Sequence, residues 1–102
     1  MRIVFMGTPQ FAVPTLKALV DAGQDILAVV SQPDRPSGRG QAVIPPPVKL
    51  FALGKKLTVL QPTKMKDPAF LSHLEGLKPD LAVVVAFGRI LPTEVLKVPK
   101  QG

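Results

Sequence analysis

The residues best suited to chemistry with a charged partner lie in Gln32-Pro33-Asp34-Arg35-Pro36-Ser37-Gly38-Arg39-Gly40. The guanidinium groups of Arg35 and Arg39 can grip phosphate bidentately, and Gly38 and Gly40 let backbone approach a partner closely. Loops of this length inside a small domain are uncommon and tend to be functional or disordered. We read it as a loop for a polyanionic partner; the plain alternative is a solvated surface loop with ordinary charges.

Two other stretches could form a site. Gly7-Thr8-Pro9 opens the first strand-to-helix turn, where a helix N-terminus favours an anion. A dinucleotide fingerprint would need glycine at positions 9 and 12, which are Pro9 and Ala12 here. Asp34 could serve as a ribose-binding acid, yet without the glycines the nucleotide-cofactor reading fails. Phe87-Gly88-Arg89-Ile90-Leu91-Pro92 offers apolar walls with a glycine for close backbone approach, as a buried small-molecule site requires. A strand exit with a hydrophobic plug would look the same.

The remaining polar residues point to no catalysis. His73 is the only histidine and the chain has no cysteine, so His73 lacks a co-ligand and reads as an ordinary helix residue. Asp21, Asp25, Asp67, Glu75, Asp80 and Glu94 fall at caps and helix faces. They form no paired carboxylates, no nucleophile–base set and no metal cluster.

These stretches must be positioned by regular elements. Residues 2–6, 25–31, 57–60 and 81–86 read as strands in unbroken apolar runs. Between them, helices are predicted from Pro14 to a stop at Gly23, over residues 48–53 closed by Gly54, and from the cap Asp67 to a stop at Gly76. Thr93 caps one more, carrying Val95, Leu96 and Val98. Alternating strands and helices with apolar strands mean a mostly parallel sheet covered on both faces, doubly wound and ordered 3-2-1-4. The fold class is α/β, Rossmann-like, and the first and fourth strands flank the point where such sheets bind ligands.

Bulk properties agree. One hundred and two residues allow one small domain, and 46% hydrophobic content with mean hydropathy +0.27 argues for a packed core. Residues 33–66 hold Arg35, Arg39, Lys49, Lys55, Lys56, Lys64 and Lys66 against Asp34 alone, so the whole formal excess of +6 lies there. Clustered basic charge draws phosphate backbones. The apolar start is too short for a signal peptide, and the longest apolar run, residues 81–87, is far below the ~20 residues of a membrane helix. A soluble, cytoplasmic protein is expected.

With these motifs in place, the chain resembles the methionyl-tRNA formyltransferase family. Residues 6–14 look like its G-T-P-x-F-A opening, and residues 32–40 its Q-P-D-R-P-x-G-R-G loop. Pro46-Pro47-Val48-Lys49, Leu60-Gln61-Pro62 and residues 83–92 are similar to its P-x-P-V-K, V-x-Q-P and V-V-A-Y-G-x-I-L-P. The loop is the specific part, since sister formyltransferases share the fold without it. One departure lies in the loop: Gln41-Ala42 replaces lysines that often follow G-R-G, so RNA affinity would be weaker or lean more on Lys49, Lys55 and Lys56.

The resemblance implies formyl transfer from 10-formyltetrahydrofolate to the amino group of methionyl initiator tRNA, a step of translation initiation. It assigns Phe87, Gly88, Ile90, Leu91 and Pro92 to the folate pocket, and Arg35, Gly38, Arg39, Gly40 and Lys49 to the tRNA. Gly7, Thr8 and Pro9 would lie near the aminoacyl end. No metal and no protein partner are implied. The family's catalytic Asn, His and Asp fall beyond Gly102, as does its C-terminal tRNA-binding domain. Residues 1–102 are therefore expected to be the N-terminal part of a catalytic domain, inactive alone. Another tetrahydrofolate-dependent formyltransferase, or a non-catalytic basic RNA-binding fragment, remain the alternatives.

Overall fold

The computed structural model describes residues 1–37, 42–64, 66–85 and 87. Gly38, Arg39, Gly40, Gly88, Ile90, Leu91, Pro92 and the helix expected from Thr93 lie outside the described residues. Within them the chain runs β1 (Arg2–Gly7), α1 (Val13–Asp21), β2 (Asp25–Val30), β3 (Arg35–Ser37), β4 (Ala42–Ile44), α2 (Pro47–Gly54), β5 (Val59–Leu60), α3 (Pro68–Leu77) and β6 (Leu81–Val85). A 3₁₀ turn, Gln10–Ala12, leads into α1.

The four longer-range strands form a parallel sheet in the order β5-β2-β1-β6. This is the 3-2-1-4 order that the alternation of elements predicts, with β1 and β6 adjacent. Successive side chains of a strand point to opposite faces, so β1 feeds two cores. Phe5 packs with Leu16, Val29, Val48 and Ala52 under α1 and α2. Val4 and Met6 pack with Val30, Phe70, Leu74 and Phe87 under α3. Covering both faces is what makes the strands read as continuous apolar runs. Burying a side chain such as Leu16 or Leu74 contributes roughly 1.5–3 kcal/mol each.

The helix caps follow from residue type. Pro14 lies in the first turn of α1, and Gly23 follows that helix at φ 77°, where a side chain would be strained. Asp67 caps α3, its Oδ1 accepting from the Ala69 N–H at 2.9 Å, with Pro68 next. The end of α3 corrects the expected stop at Gly76. The helix continues to Leu77, and Lys78 takes the left-handed conformation at φ 51°. The Arg2 guanidinium donates to the carbonyls of Leu77 and Lys78, so a cation satisfies the helix end in place of a glycine turn. The Arg2 N–H also donates to the Asp80 carboxylate at 3.0 Å and the Asp80 N–H to the Arg2 carbonyl at 2.8 Å, tying the starts of β1 and β6.

The arginine-bearing stretch is also corrected. It reads as irregular loop, yet β3 pairs antiparallel with β4, Arg35 opposite Ile44 and Ser37 opposite Ala42. Arg35-Pro36-Ser37 has no alternating apolar pattern because this two-stranded ribbon lies outside the main sheet.

Candidate functional site

At the carboxyl ends of the strands, three turns meet. Gly7 ends β1 with no room for a side chain. A Cβ there would lie 2.8 Å from the Phe5 ring, 2.9 Å from Ala12 Cβ and 2.9 Å from the Val85 carbonyl oxygen. Glycine thus permits the turn Gly7-Thr8-Pro9 to sit against the exit of β6. Thr8 then donates its hydroxyl to the Phe87 carbonyl at 2.8 Å, joining the first expected stretch to the last. Phe87 itself is 2% exposed and belongs to the core beneath α3.

Gln32, at the exit of β2, completes this junction. Its side-chain amide donates to the same Phe87 carbonyl at 3.0 Å, and its backbone N–H reaches the Thr8 hydroxyl at 3.3 Å. Its own carbonyl accepts from the Gln61 amide at 3.1 Å and from the Ser31 hydroxyl at 3.3 Å. Gln61, at the exit of β5, also donates to Asp34 Oδ1 at 2.7 Å. One polar chain therefore links the carboxyl ends of all four parallel strands.

Asp34 closes the chain at the root of the β3–β4 hairpin. The Lys49 ammonium lies 3.0 Å from both of its oxygens, with the two side chains 20% and 26% exposed. The Gln61 amide first, and then Lys49, hold the Asp34 carboxyl below its ordinary value, against the opposing effect of desolvation. Asp34 thus anchors the hairpin and is engaged by protein donors. Lys49 is at the start of α2, whose Val48 N–H reaches the Thr8 carbonyl at 3.3 Å. Of the residues expected to meet RNA, Lys49 and the backbone of Arg35 are thereby placed at the rim that carries Gly7, Thr8, Pro9 and Phe87.

The basic charge divides between two rims. Helix α2 runs back across the sheet, which carries Lys55 and Lys56 to the amino end of the strands. There Lys55 adds to the pull of Lys17 in lowering the Asp21 carboxyl, Lys17 bonding it directly at 2.7 Å. Lys55 and Lys56 therefore lie at the rim opposite the root of the hairpin. Lys64 and Lys66, exposed after β5, leave the same rim as Gln61. A groove of about 310 Å³ beside Gln61 is lined by Leu60, Pro62, Asp67, Ala69, Phe70 and His73. His73 is an exposed helix residue there, as its isolation in the sequence suggests.

Attention to arginines and glycines misses Gln32 and Gln61. A signal for them exists: the dipeptide Gln-Pro follows both adjacent strands, as Gln32-Pro33 and Gln61-Pro62. Proline has no N–H to extend a ladder, which leaves the preceding amide at the rim. Among the described residues no group of three or more His, Cys, Asp or Glu is placed to hold a metal ion. No helix among them is long and apolar enough to cross a membrane.

Comparison with known proteins agrees with this architecture. A family model described as formyl transferase matches residues 1–102. The methionyl-tRNA formyltransferase of Desulforamulus reducens is 60% identical over all of this chain and 32% of its own length. Those of Moorella thermoacetica and Citrifermentans bemidjiense are 60% and 56% identical, again over the whole chain and 33% and 32% of their lengths. The chain spans about a third of the length of the curated relatives it matches.

Proposed function

This chain belongs to the formyl transferase family, and we propose that the full-length protein formylates methionyl initiator tRNA with 10-formyltetrahydrofolate, in the cytoplasm, at translation initiation. The observation that carries this reading is the Thr8–Phe87 contact at 2.8 Å, with the base of the hairpin beside it. It brings the Gly7-Thr8-Pro9 turn, Phe87 and the root of the β3–β4 pair to one rim of a parallel sheet, where such sheets bind ligands, and this supports the reading. The names of the relatives support the acceptor.

In this reading Phe87, Gly88, Ile90, Leu91 and Pro92 wall the folate, which supplies the formyl carbon. Arg35 and Arg39, with Gly38 and Gly40 for close approach and Lys49 at the hairpin root, face the tRNA. Gly7, Thr8 and Pro9 border the aminoacyl end. The methionyl amine attacks the formyl carbon, the bond from that carbon to the folate nitrogen breaks, and the amine proton ends on the departing tetrahydrofolate. Residues 1–102 then form the N-terminal part of the catalytic domain. They supply walls and a partner-binding hairpin, and the catalytic Asn, His and Asp that the resemblance implies are not among them.

The test is to incubate the full-length protein with 10-formyltetrahydrofolate and methionyl initiator tRNA, following N-formylmethionine. Formylated tRNA is the expected product. Transfer only to a nucleotide-sugar amine or to glycinamide ribonucleotide would reassign the acceptor. RNA binding with no transfer to any acceptor would leave a non-catalytic module.

A further inference from the structure

We propose that Thr8 and Gln32 are positioning residues for the formyl-donor wall, acting through the Phe87 carbonyl, and that Gln32 joins this wall to the root of the basic hairpin. The inference rests on the reading of residues 87–92 as that wall.

A carbonyl oxygen has two lone pairs, and here both are filled by side chains from other strand ends. Thr8 supplies one bond at 2.8 Å and Gln32 the other at 3.0 Å. Phe87 is 2% exposed and Gln32 9%, so little water competes for these bonds. A peptide group is planar, and pinning its oxygen fixes the plane in which the chain leaves Phe87. The Thr8 hydroxyl has committed its proton to Phe87 while accepting from the Gln32 N–H at 3.3 Å. Its one donor is therefore spent on Phe87.

Gln32 has a second role because its two ends face different elements. The side chain holds Phe87, while the carbonyl is held at 3.1 Å by Gln61, whose other N–H holds Asp34 at 2.7 Å. Asp34 in turn holds Lys49. A shift at the hairpin root thus reaches the Phe87 carbonyl through an unbroken run of bonds, in which Gln32 links Phe87 to Gln61.

The experiment is steady-state formyl transfer by the full-length protein, varying 10-formyltetrahydrofolate and methionyl-tRNA separately. Thr8→Val should raise the donor KM about tenfold, well beyond any change in the KM for methionyl-tRNA. Thr8→Ser, which keeps the hydroxyl, should restore the wild-type donor KM. Gln32→Leu should raise both KM values, since it cuts the run between wall and hairpin. If Thr8→Val does not fold, by thermal melting, Gln32→Leu carries the test alone because Thr8 still holds the carbonyl. An unchanged donor KM in the folded variants, or a Thr8→Ser defect equal to Thr8→Val, would overturn the inference. A wild-type protein without any formyl transfer would instead sink the reading beneath it.

Discussion

The Lys49 ammonium bridges both carboxylate oxygens of Asp34 at 3.0 Å, and the same carboxylate takes a 2.7 Å bond from Gln61. One acid thereby fastens the hairpin root to α2 and to the exit of β5. Replacing it should displace the hairpin relative to the rim. Asp34→Asn in the full-length protein should raise the KM for methionyl-tRNA by roughly tenfold with a smaller change for the formyl donor. Steady-state kinetics with each substrate varied will check this; an equal rise for both would dissociate the hairpin root from RNA use.

The same carboxylate makes stability pH-dependent in a defined direction. Its folded pKa is depressed by Gln61 and then Lys49, so the unfolded chain binds the proton more readily. The contribution is fully present above the ordinary carboxylate value and is lost as pH falls through the depressed folded one. Urea midpoints of wild type and Asp34→Asn should therefore differ at neutral pH and converge in acid. A gap that widens in acid would contradict the assignment.

Gly7→Ala tests the packing that brings β1 and β6 together. The new methyl would lie 2.9 Å from the Val85 carbonyl oxygen, which is backbone and cannot swing away as a side chain can. The substitution should destabilise the protein by about 1–3 kcal/mol, as overpacking does. Chemical denaturation measures it directly, and a loss below about 0.5 kcal/mol, the level of a neutral surface change, would show that the turn has slack.

Arg39 is the residue on which the RNA reading leans most. Arg39→Ala should cost on the order of 1–3 kcal/mol in kcat/KM for methionyl-tRNA, the range of one charge-assisted contact. Hydrolysis of 10-formyltetrahydrofolate without tRNA should be spared. A comparable loss in that folate-only assay would move Arg39 to the donor site.

The division of charge between rims gives a paired comparison. Lys64→Ala with Lys66→Ala should weaken tRNA binding and flatten its logarithmic salt dependence by about 1–2 in slope. Lys55→Ala with Lys56→Ala should leave both unchanged, because α2 carries that pair to the amino rim beside Asp21. Filter binding across a salt series separates the two. A larger effect from Lys55 and Lys56 would place the RNA on the opposite face.

The sequence alone determined the parallel sheet, its strand order, most helix caps and the family. Apolar runs such as residues 2–6 and 81–85, and the placement of Pro14, Gly23, Asp67 and Pro68, are local signals, readable without knowing what lies opposite. Two features were illegible for different reasons: Arg35-Pro36-Ser37 lacks the alternating apolar pattern that marks a strand, and the end of α3 at Lys78 is satisfied by Arg2, far away at the start of β1. The rim belongs wholly to tertiary structure. Its bonds span large separations in the chain, 24 residues from Thr8 to Gln32 and 79 from Thr8 to Phe87. A hydroxyl or an amide has many acceptors to choose from, and residue type does not say which one will be within reach. Only the winding of the strands, which sets the exits of β1, β2, β5 and β6 side by side, selects the partner.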